Sequence, residues 1–197
     1  MSLDRTPIDD QSTLLFDHQK SWAAWLKQNH GKSSGVWLRL AKKDSGQQSV
    51  SYGEALETAL CYGWIDGQKK SDNAHYWLQR FTPRSAKSIW SKINRDKALA
   101  LIDSGQMQAA GLNEIERAKS DGRWEAAYDS ASKATVPSDL QSALDANAQA
   151  KAFFATLDSH NRYAVLFRIQ TAKKAETRAK RILQFVQMLE RHEKLHP

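Results

Sequence analysis

Apolar side chains recur at helical spacing near the start of the chain and alternate with polar ones further on. Trp22 and Trp25 lie on one helical face and residues 29–31 carry a stop signal, which predicts a helix over residues 18–29. The next apolar segment, VWLRLAKK, alternates between apolar and polar positions from Val36 onward. Because side chains of a strand point alternately to its two faces, this segment is a predicted strand.

A second helix and a hairpin are predicted in the following stretch. Ser51 is a predicted N-cap and Glu54 lies three residues later, which is the arrangement of a capping box. The run YGWIDGQKKSDNAHYWLQRFTPR then predicts strands over residues 64–69 and 75–81, joined by a polar turn. Together with the strand at Val36, these two strands form a predicted small three-stranded antiparallel sheet.

The pattern is almost entirely helical after the hairpin. Asn94 is a predicted N-cap, and Gly105 and Gly122 are predicted stop signals of the two helices that follow. Further on, the small, polar and proline-containing segment 129–138 is the predicted linker.

Two units follow from this order of elements. The fold class is predicted to be α+β, with the small sheet and its flanking helices in an N-terminal unit over residues 1–130. Residues 131–197 are predicted to form an all-helical bundle of three or four helices. The apolar positions of its last helix share one face: Ile182, Phe185, Val186 and Leu189.

The net charge of +7 is segregated along the chain. Residues 68–97 and residues 161–197 each carry a net charge of +6, so the rest of the chain is acidic. A basic surface attracts nucleic acid, anionic lipid or small acidic ligands, although a solvated basic surface explains the same charge equally well.

Several function classes are made improbable by the sequence. The single cysteine, Cys61, excludes an intramolecular disulfide and suits a reducing compartment. Residues 1–10 lack the basic and then apolar pattern of a secretory signal, which predicts a cytoplasmic location without membrane insertion. P-loop, dinucleotide-binding, zinc-protease and nucleophile-elbow motifs are absent from the sequence, and no metal or cofactor is predicted.

The first strand of the predicted hairpin carries candidate binding residues. If alternation begins at Trp64, then Asp66 and Gln68 lie on the same face as the indole. One face would then combine a broad ring, a carboxylate and an amide. This composition is typical of the wall of a polar pocket.

The second strand ends in RFTPR, where Pro83 favours an extended chain. Arg80, Thr82 and Arg84 are therefore predicted to project from one side. Guanidinium groups suit bidentate capture of a carboxylate or phosphate. The alternative is that Arg80 pairs with Asp66 across the hairpin, and the two arrangements can coexist.

The runs YGWIDG, FTPR and SxWSxxN resemble the YdeI/OmpD-associated family, whose members are described as bacteriocin-protection proteins. The likeness extends over nearly the whole chain, and the block from about residue 137 to residue 190 resembles that family's helical module. The resemblance implies a role in protection and no particular reaction. It implies as signature residues Trp64, Asp66, Gly67, Arg80, Thr82, Pro83, Arg84, Ser88, Trp90 and Asn94.

Three functions are predicted, the first of which is favoured. In the first, a soluble stress or bacteriocin-protection protein holds a small anionic ligand between Trp64 or Trp90 and the pair Arg80 and Arg84. The full predicted ligand-binding set is Trp64, Asp66, Gln68, Arg80, Thr82, Arg84, Ser88, Trp90 and Asn94.

The other two functions use different parts of the chain. The basic C-terminal helices offer non-specific association with nucleic acid. The basic side chains of the last helix that would contact phosphates are Arg178, Lys180, Arg181 and Arg191. Alternatively, Asp66 acts as a general acid or base, with Arg80 or Arg84 stabilising negative charge. The sequence favours binding over catalysis and carries no signal for an oligomeric state.

Overall fold

The computed structural model describes residues 12–197. The predicted absence of a secretory signal concerns residues 1–10, which lie outside the described residues. Among the helices of residues 12–197, none has the length and apolar character that crossing a membrane requires.

The chain forms two compact units. The N-terminal unit contains the residues through Ile89 and Asn94–Glu125, and the C-terminal unit contains Trp90–Ile93 and Ala126–Pro197. The elements up to residue 120 are β1 (Thr13–Leu15), α1 (Gln19–Asn29), β2 (Val36–Ala41), α2 (Tyr52–Cys61), β3 (Trp64–Ser71), β4 (Tyr76–Pro83), α3 (Lys92–Asp103) and α4 (Ala109–Ser120).

Within residues 12–197 the sheet has four strands in the order β1-β2-β4-β3 and is mixed. The three predicted strands are present and antiparallel, but the prediction of a purely antiparallel three-stranded sheet is wrong. β1 pairs in parallel with β2, with Leu14 opposite Leu38. Parallel neighbours need a crossover, which α1 provides. Because β1 has only three residues, it is too short to show the alternation that identifies a strand.

The predicted N-cap residue is correct for α2 and wrong for α3. The Oγ atom of Ser51 accepts a hydrogen bond from the backbone of Glu54, whose carboxylate accepts one from the backbone of Ser51 at 2.9 Å. The predicted capping box is therefore confirmed. Asn94, in contrast, lies inside the first turn of α3 and is not its N-cap. A bridge between Ser91 and Tyr128 keeps the chain extended up to residue 91, so the helix begins directly afterwards.

The core of the N-terminal unit lies on one face of the sheet. Val36, Leu38 and Leu40 of β2 are buried there and alternate with partly exposed residues on the other face. The antiparallel register places Phe81 opposite Val36, so that its ring joins the same core. Trp22 of α1 packs against the Phe81 ring at a centroid distance of 5.8 Å.

The C-terminal unit is a four-helix arrangement. Its helices are α5 (Ser138–Asp145), α6 (Ala148–Thr156), α7 (Ser159–Gln170) and α8 (Ala175–Glu190). Ile182, Phe185 and Leu189 of α8 are buried, and Val186 packs against the same core, which confirms the predicted apolar face. The other large buried side chains of this core are Leu140, Leu144, Phe154, Val165, Leu166 and Ile169.

Candidate functional site

Trp64, which was predicted to line a pocket, lies in the core of the N-terminal unit. Its side chain is 1% exposed, and its ring makes edge contacts with Trp22 at 6.3 Å and Trp25 at 5.9 Å between centroids. The indole Nε1 donates a hydrogen bond to the carbonyl oxygen of His30 at 3.1 Å. The indole therefore has the contacts of a core residue.

An irregularity in β3 separates Asp66 from Gln68. The register shifts between Asp66 and Lys69, so Lys69 takes the position opposite Gln79. Asp66 follows Trp64 on one face, as predicted, because the two lie opposite Phe81 and Pro83. The prediction that Gln68 continues this alternation is wrong, because a β-bulge inserts an extra residue after Asp66. The carboxylate of Asp66 accepts a hydrogen bond from the hydroxyl of Tyr52 at 2.8 Å.

Arg80 and Thr82 occupy one face of β4, as predicted. The register places Arg80 opposite Trp37 and Thr82 opposite Ile65, and both side chains meet the backbone at Gly35. The guanidinium carbon of Arg80 lies 5.7 Å from the centroid of the Trp37 ring. Asp66 takes the register position opposite Phe81, on the other face, so the predicted pairing of Arg80 with Asp66 is replaced by an Arg80 contact with an indole.

Arg84 lies just beyond β4. Its guanidinium belongs to a group of three cationic side chains in the N-terminal unit. Its buried guanidinium donates from Nη1 to the carbonyl oxygen of Ile89 at 3.3 Å. Its backbone carbonyl accepts a hydrogen bond from Nη2 of Arg117 at 3.2 Å. Arg123, which is 3% exposed, donates from Nη1 to the carbonyl oxygen of Ser88 at 2.7 Å. We call Arg84, Arg117 and Arg123 the guanidinium cluster.

The guanidinium cluster unites one predicted residue, Arg84, with two that the sequence did not indicate. Arg117 and Arg123 lie in and after α4, 33 and 39 residues further along the chain, and Arg123 contacts the backbone of the predicted residue Ser88. In the sequence, Arg117 and Arg123 cannot be distinguished from the charged residues of an ordinary exposed helix face. The burial of Arg123, which distinguishes it, appears only in the folded chain.

The carboxylate of Glu114 lies among the three guanidiniums. It forms an ion pair with Arg117, one turn further along α4. Gly63 approaches so closely that a Cβ atom there would lie 2.9 Å from Cγ of Glu114. Burial raises the pKa of Glu114, although Arg117, Arg84 and Arg123 each act to lower it. Desolvation thus outweighs the attraction of three positive charges.

This raised pKa gives stability a definite pH dependence. The folded chain holds the Glu114 proton more tightly than the unfolded chain, so the contribution to stability is complete below the ordinary pKa of 4.5 and is lost as pH rises through the folded-state value. Relative to Glu114→Gln, the wild type is expected to lose stability as pH rises above 4.5. Urea denaturation at a series of pH values measures this difference.

The matched control is Glu116→Gln. Glu116 pairs with Lys119 at the same spacing on α4, but its side chain is 68% exposed. A difference between wild type and Glu114→Gln that stays constant with pH, as is expected for the control, would contradict the assignment.

Three further residues of the predicted set are Trp90, Asn94 and Gln68. Trp90 is 2% exposed and belongs to the C-terminal unit, where its carbonyl oxygen accepts a hydrogen bond from the backbone of Tyr128 at 3.0 Å. Asn94 lies in the first turn of α3. The backbone carbonyl of Gln68 accepts a hydrogen bond from Nε2 of Gln79 at 3.1 Å, while its own side chain is exposed.

A cavity of about 570 Å³ opens beside the β3–β4 hairpin. Its lining comes from the residues directly after β2, from the second half of β3, and from the start of β4. The indole of Trp77 forms one wall, and Nζ of Lys69 lies 4.6 Å from the centroid of that ring. We call this the lysine cavity, and its lining residues are Lys42, Lys43, Lys69, Lys70, Ser71 and Trp77.

The four ammonium groups of the lysine cavity have no carboxylate partner among the described residues. Nζ of Lys42 donates to the carbonyl oxygen of Asn73 at 2.7 Å, and Nζ of Lys70 lies 4.1 Å from the centroid of the Trp37 ring. The nearby carboxylate of Asp72 is held by Arg39 at 2.8 Å. Elsewhere, carboxylates pair with Lys92, Lys97, Lys119 and Lys151.

The basic side chains of α8 are largely engaged within the C-terminal unit. Arg178 makes two hydrogen bonds to the carboxylate of Asp139, at 2.6 and 2.9 Å, and Arg181 donates to the carbonyl oxygen of Arg168. Arg191, just after the helix, pairs with Glu193 at 2.9 Å. These contacts leave fewer cationic groups of α8 for phosphates than the sequence suggested.

Comparisons with known proteins divide the chain into two regions. Residues 14–114, just over half of the chain, match the family described as a domain of unknown function (DUF8412). Residues 133–192 match the family described as bacteriocin-protection, YdeI or OmpD-associated. No curated protein and no solved structure matches the chain.

These matches refine the resemblance drawn from the sequence. The likeness to the YdeI/OmpD-associated family is confirmed for the C-terminal block, whereas the runs YGWIDG, FTPR and SxWSxxN lie in the other matched region. The hairpin, the lysine cavity and Arg84 of the guanidinium cluster also lie between residues 14 and 114. The chain therefore belongs to the DUF8412 family and carries, at residues 133–192, a region of the bacteriocin-protection, YdeI or OmpD-associated family.

Proposed function

We propose that the N-terminal unit binds a small anionic ligand in the lysine cavity. The observation that supports this is a cavity lined by four lysines, none paired with a described carboxylate, and by an indole ring over which Lys69 lies. Like charges held close together repel one another, and an anion placed among them removes that cost. The predicted ligand class is thus kept, while the residues proposed to hold the ligand become Lys69 and Trp77 of the same hairpin.

The lining of the lysine cavity favours a ligand that combines a negative charge with a flat ring. A lysine ammonium binds phosphate or carboxylate as a compact charge without demanding one orientation. The partly exposed indole of Trp77 offers an apolar surface next to these charges, and Lys69 lies over its ring. Stacking on the indole would supply the orientation that the lysines do not.

The size of the lysine cavity agrees with a small molecule. Its volume of about 570 Å³ lies within the range of about 300–1,000 Å³ that is usual for ligand pockets. The lysines come from the segment after β2 and from β3, which line the same cavity, so a single ligand can contact both. A nucleoside monophosphate has the required ring and charge, and serves as a probe of this class.

Calorimetric titration with AMP, adenosine and inorganic phosphate tests the proposal. AMP is expected to bind more tightly than either fragment, because only AMP uses both the charges and the ring. The variant Lys42→Ala/Lys69→Ala is expected to weaken AMP binding by about tenfold or more, since a hydrogen bond to a charged group contributes about 1.5–3 kcal/mol.

The control variant is Lys27→Ala/Lys32→Ala, which removes the same charge from exposed positions of the same unit. It is expected to change AMP affinity by less than about threefold, because exposed charges at a distance are screened by salt. Equal weakening in both variants, or no AMP binding to the wild type, would refute a specific site in the lysine cavity.

A further inference from the structure

The lysine cavity carries more positive charge than one mononucleotide neutralises. Its lining includes four lysines, none of them paired with a described carboxylate. A phosphate monoester carries a charge of about −1.5 to −2 at pH 7, so its binding leaves about half of the ammonium charge uncompensated. Neighbouring like charges repel one another. A ligand with several phosphates in a row neutralises the remaining charge.

The lysine cavity is an open groove at the edge of the sheet. Within residues 12–197, β3 is the outermost strand on this side of the sheet. The lining residues are exposed at Lys43, Lys69, Lys70 and Ser71, and partly exposed at Lys42 and Trp77. A chain-like ligand can therefore enter the groove and continue around β3.

A second indole, that of Trp37, lies on the opposite face of the sheet. Trp77 pairs with Leu40 of β2, and Trp37 precedes Leu40 by three positions, so the two indoles point to opposite faces. Trp37 is partly exposed. Nζ of Lys70 lies 4.1 Å from the centroid of its ring, and the guanidinium carbon of Arg80 lies 5.7 Å from it. Trp37 thus offers a second ring next to cationic groups.

Lys70 connects the surroundings of the two indoles. Lys69 and Lys70 are consecutive in β3, and consecutive side chains of a strand point to opposite faces. Accordingly, Lys69 lies over the ring of Trp77 and Lys70 lies over the ring of Trp37. Lys70 also lines the lysine cavity. Positive charge therefore continues from one ring to the other around β3.

We propose that the ligand of the N-terminal unit is a single-stranded nucleic acid, with one nucleotide in the lysine cavity and a neighbouring base stacked on Trp37. The inference rests on the proposed function, because that nucleotide is the ring-bearing anion of the lysine cavity. Proteins that bind single strands without sequence preference combine a basic groove with aromatic rings on which bases stack. The hairpin and β2 supply both.

Fluorescence anisotropy of the full chain with a labelled oligodeoxyadenylate of about eight nucleotides tests the inference, since single-strand sites span about 4–16 nucleotides. The oligonucleotide is expected to bind at least about tenfold more tightly than AMP, because it adds a second stacked base and further phosphates. A duplex of equal charge is expected to bind more weakly, because its bases are not free to stack on the indoles. An oligoriboadenylate of the same length distinguishes RNA from DNA as the preferred strand.

Trp37→Ala separates this inference from the proposed function. The variant is expected to bind the oligonucleotide about tenfold more weakly, because one base loses its stacking partner. Its affinity for AMP is expected to stay within about twofold, since AMP stacks on Trp77, and this unchanged affinity also shows that the variant is folded. Trp37→Phe, which keeps a ring, is expected to restore most of the affinity for the oligonucleotide.

The control variant is Tyr62→Ala, which removes a partly exposed ring of the same unit at the end of α2. It is expected to leave oligonucleotide affinity within about twofold. If Trp37→Ala behaves like this control, as it would if the basic side chains of α8 held the strand, the inference is overturned. Polyglutamate that binds as tightly as the oligonucleotide would also overturn it, because charge alone would then explain binding.

Failure of the inference and failure of the proposed function give different results. An oligonucleotide that binds no more tightly than AMP overturns the inference alone, since AMP still occupies the lysine cavity. AMP that fails to bind the wild type overturns the proposed function and the inference with it.

Discussion

Replacing Trp64 with alanine is expected to lower the free energy of unfolding of the N-terminal unit by about 3–5 kcal/mol. The side chain is 1% exposed, and its removal leaves a large cavity next to the rings of Trp22 and Trp25. It also leaves the carbonyl oxygen of His30 without its indole donor. Urea denaturation followed by circular dichroism measures this loss.

Trp37→Ala is the matched control for this change. Trp37 also belongs to the sheet, but it is only partly buried and lies against the cationic side chains of Lys70 and Arg80. Its removal is expected to cost less than about half as much, because its site is already open to water. Equal losses in the two variants would contradict the placement of Trp64 in the core.

The second large effect is expected from Gly111→Ala in α4, which should destabilise the N-terminal unit by about 3 kcal/mol. A Cβ atom at Gly111 would lie 2.4 Å from Sδ of Met107 and 2.5 Å from the carbonyl oxygen of Cys61. The carbonyl belongs to the end of α2 and cannot move aside without shifting that helix. Glycine is thus required where the two helices approach most closely.

The control Gly53→Ala reverses the sign of the effect. Gly53 lies in α2, and a Cβ atom there would meet nothing within 4 Å. Alanine favours a helix over glycine by up to about 1 kcal/mol, so this variant is expected to be slightly stabilised. Thermal unfolding of the two variants separates helix propensity from close packing. A Gly111→Ala variant as stable as Gly53→Ala would contradict the close contact between α2 and α4.

Local rules predicted much of the fold. The capping box at Ser51 and the apolar face of α8 depend on residues within one or two turns, and both are confirmed. The hairpin was also located, because its strands are long and aromatic. β1 was missed because it has three residues and is a strand only through its pairing with β2, which lies beyond α1.

The candidate sites depend on contacts that no local pattern contains. A bulge after Asp66 changed which side chains of β3 share a face, and placed Lys69 opposite Gln79. An indole ring is suitable for both a core and the wall of a pocket. The sequence therefore did not distinguish Trp64 in the core from Trp77 at the lysine cavity. The guanidinium cluster joins a residue just beyond β4 to residues in and after α4, and the burial of Arg84 and Arg123 appears only in the folded unit.

The central claim is that an anion with a ring occupies the lysine cavity beside Trp77. Labelling the seven tryptophans with 5-fluorotryptophan and titrating with AMP tests it most directly by fluorine NMR, with Trp77→Phe identifying the resonance. The Trp77 resonance is expected to move saturably with AMP while that of the buried Trp22 stays in place. A Trp77 resonance that does not move at saturating AMP, or that moves equally in Lys42→Ala/Lys69→Ala, would contradict the claim.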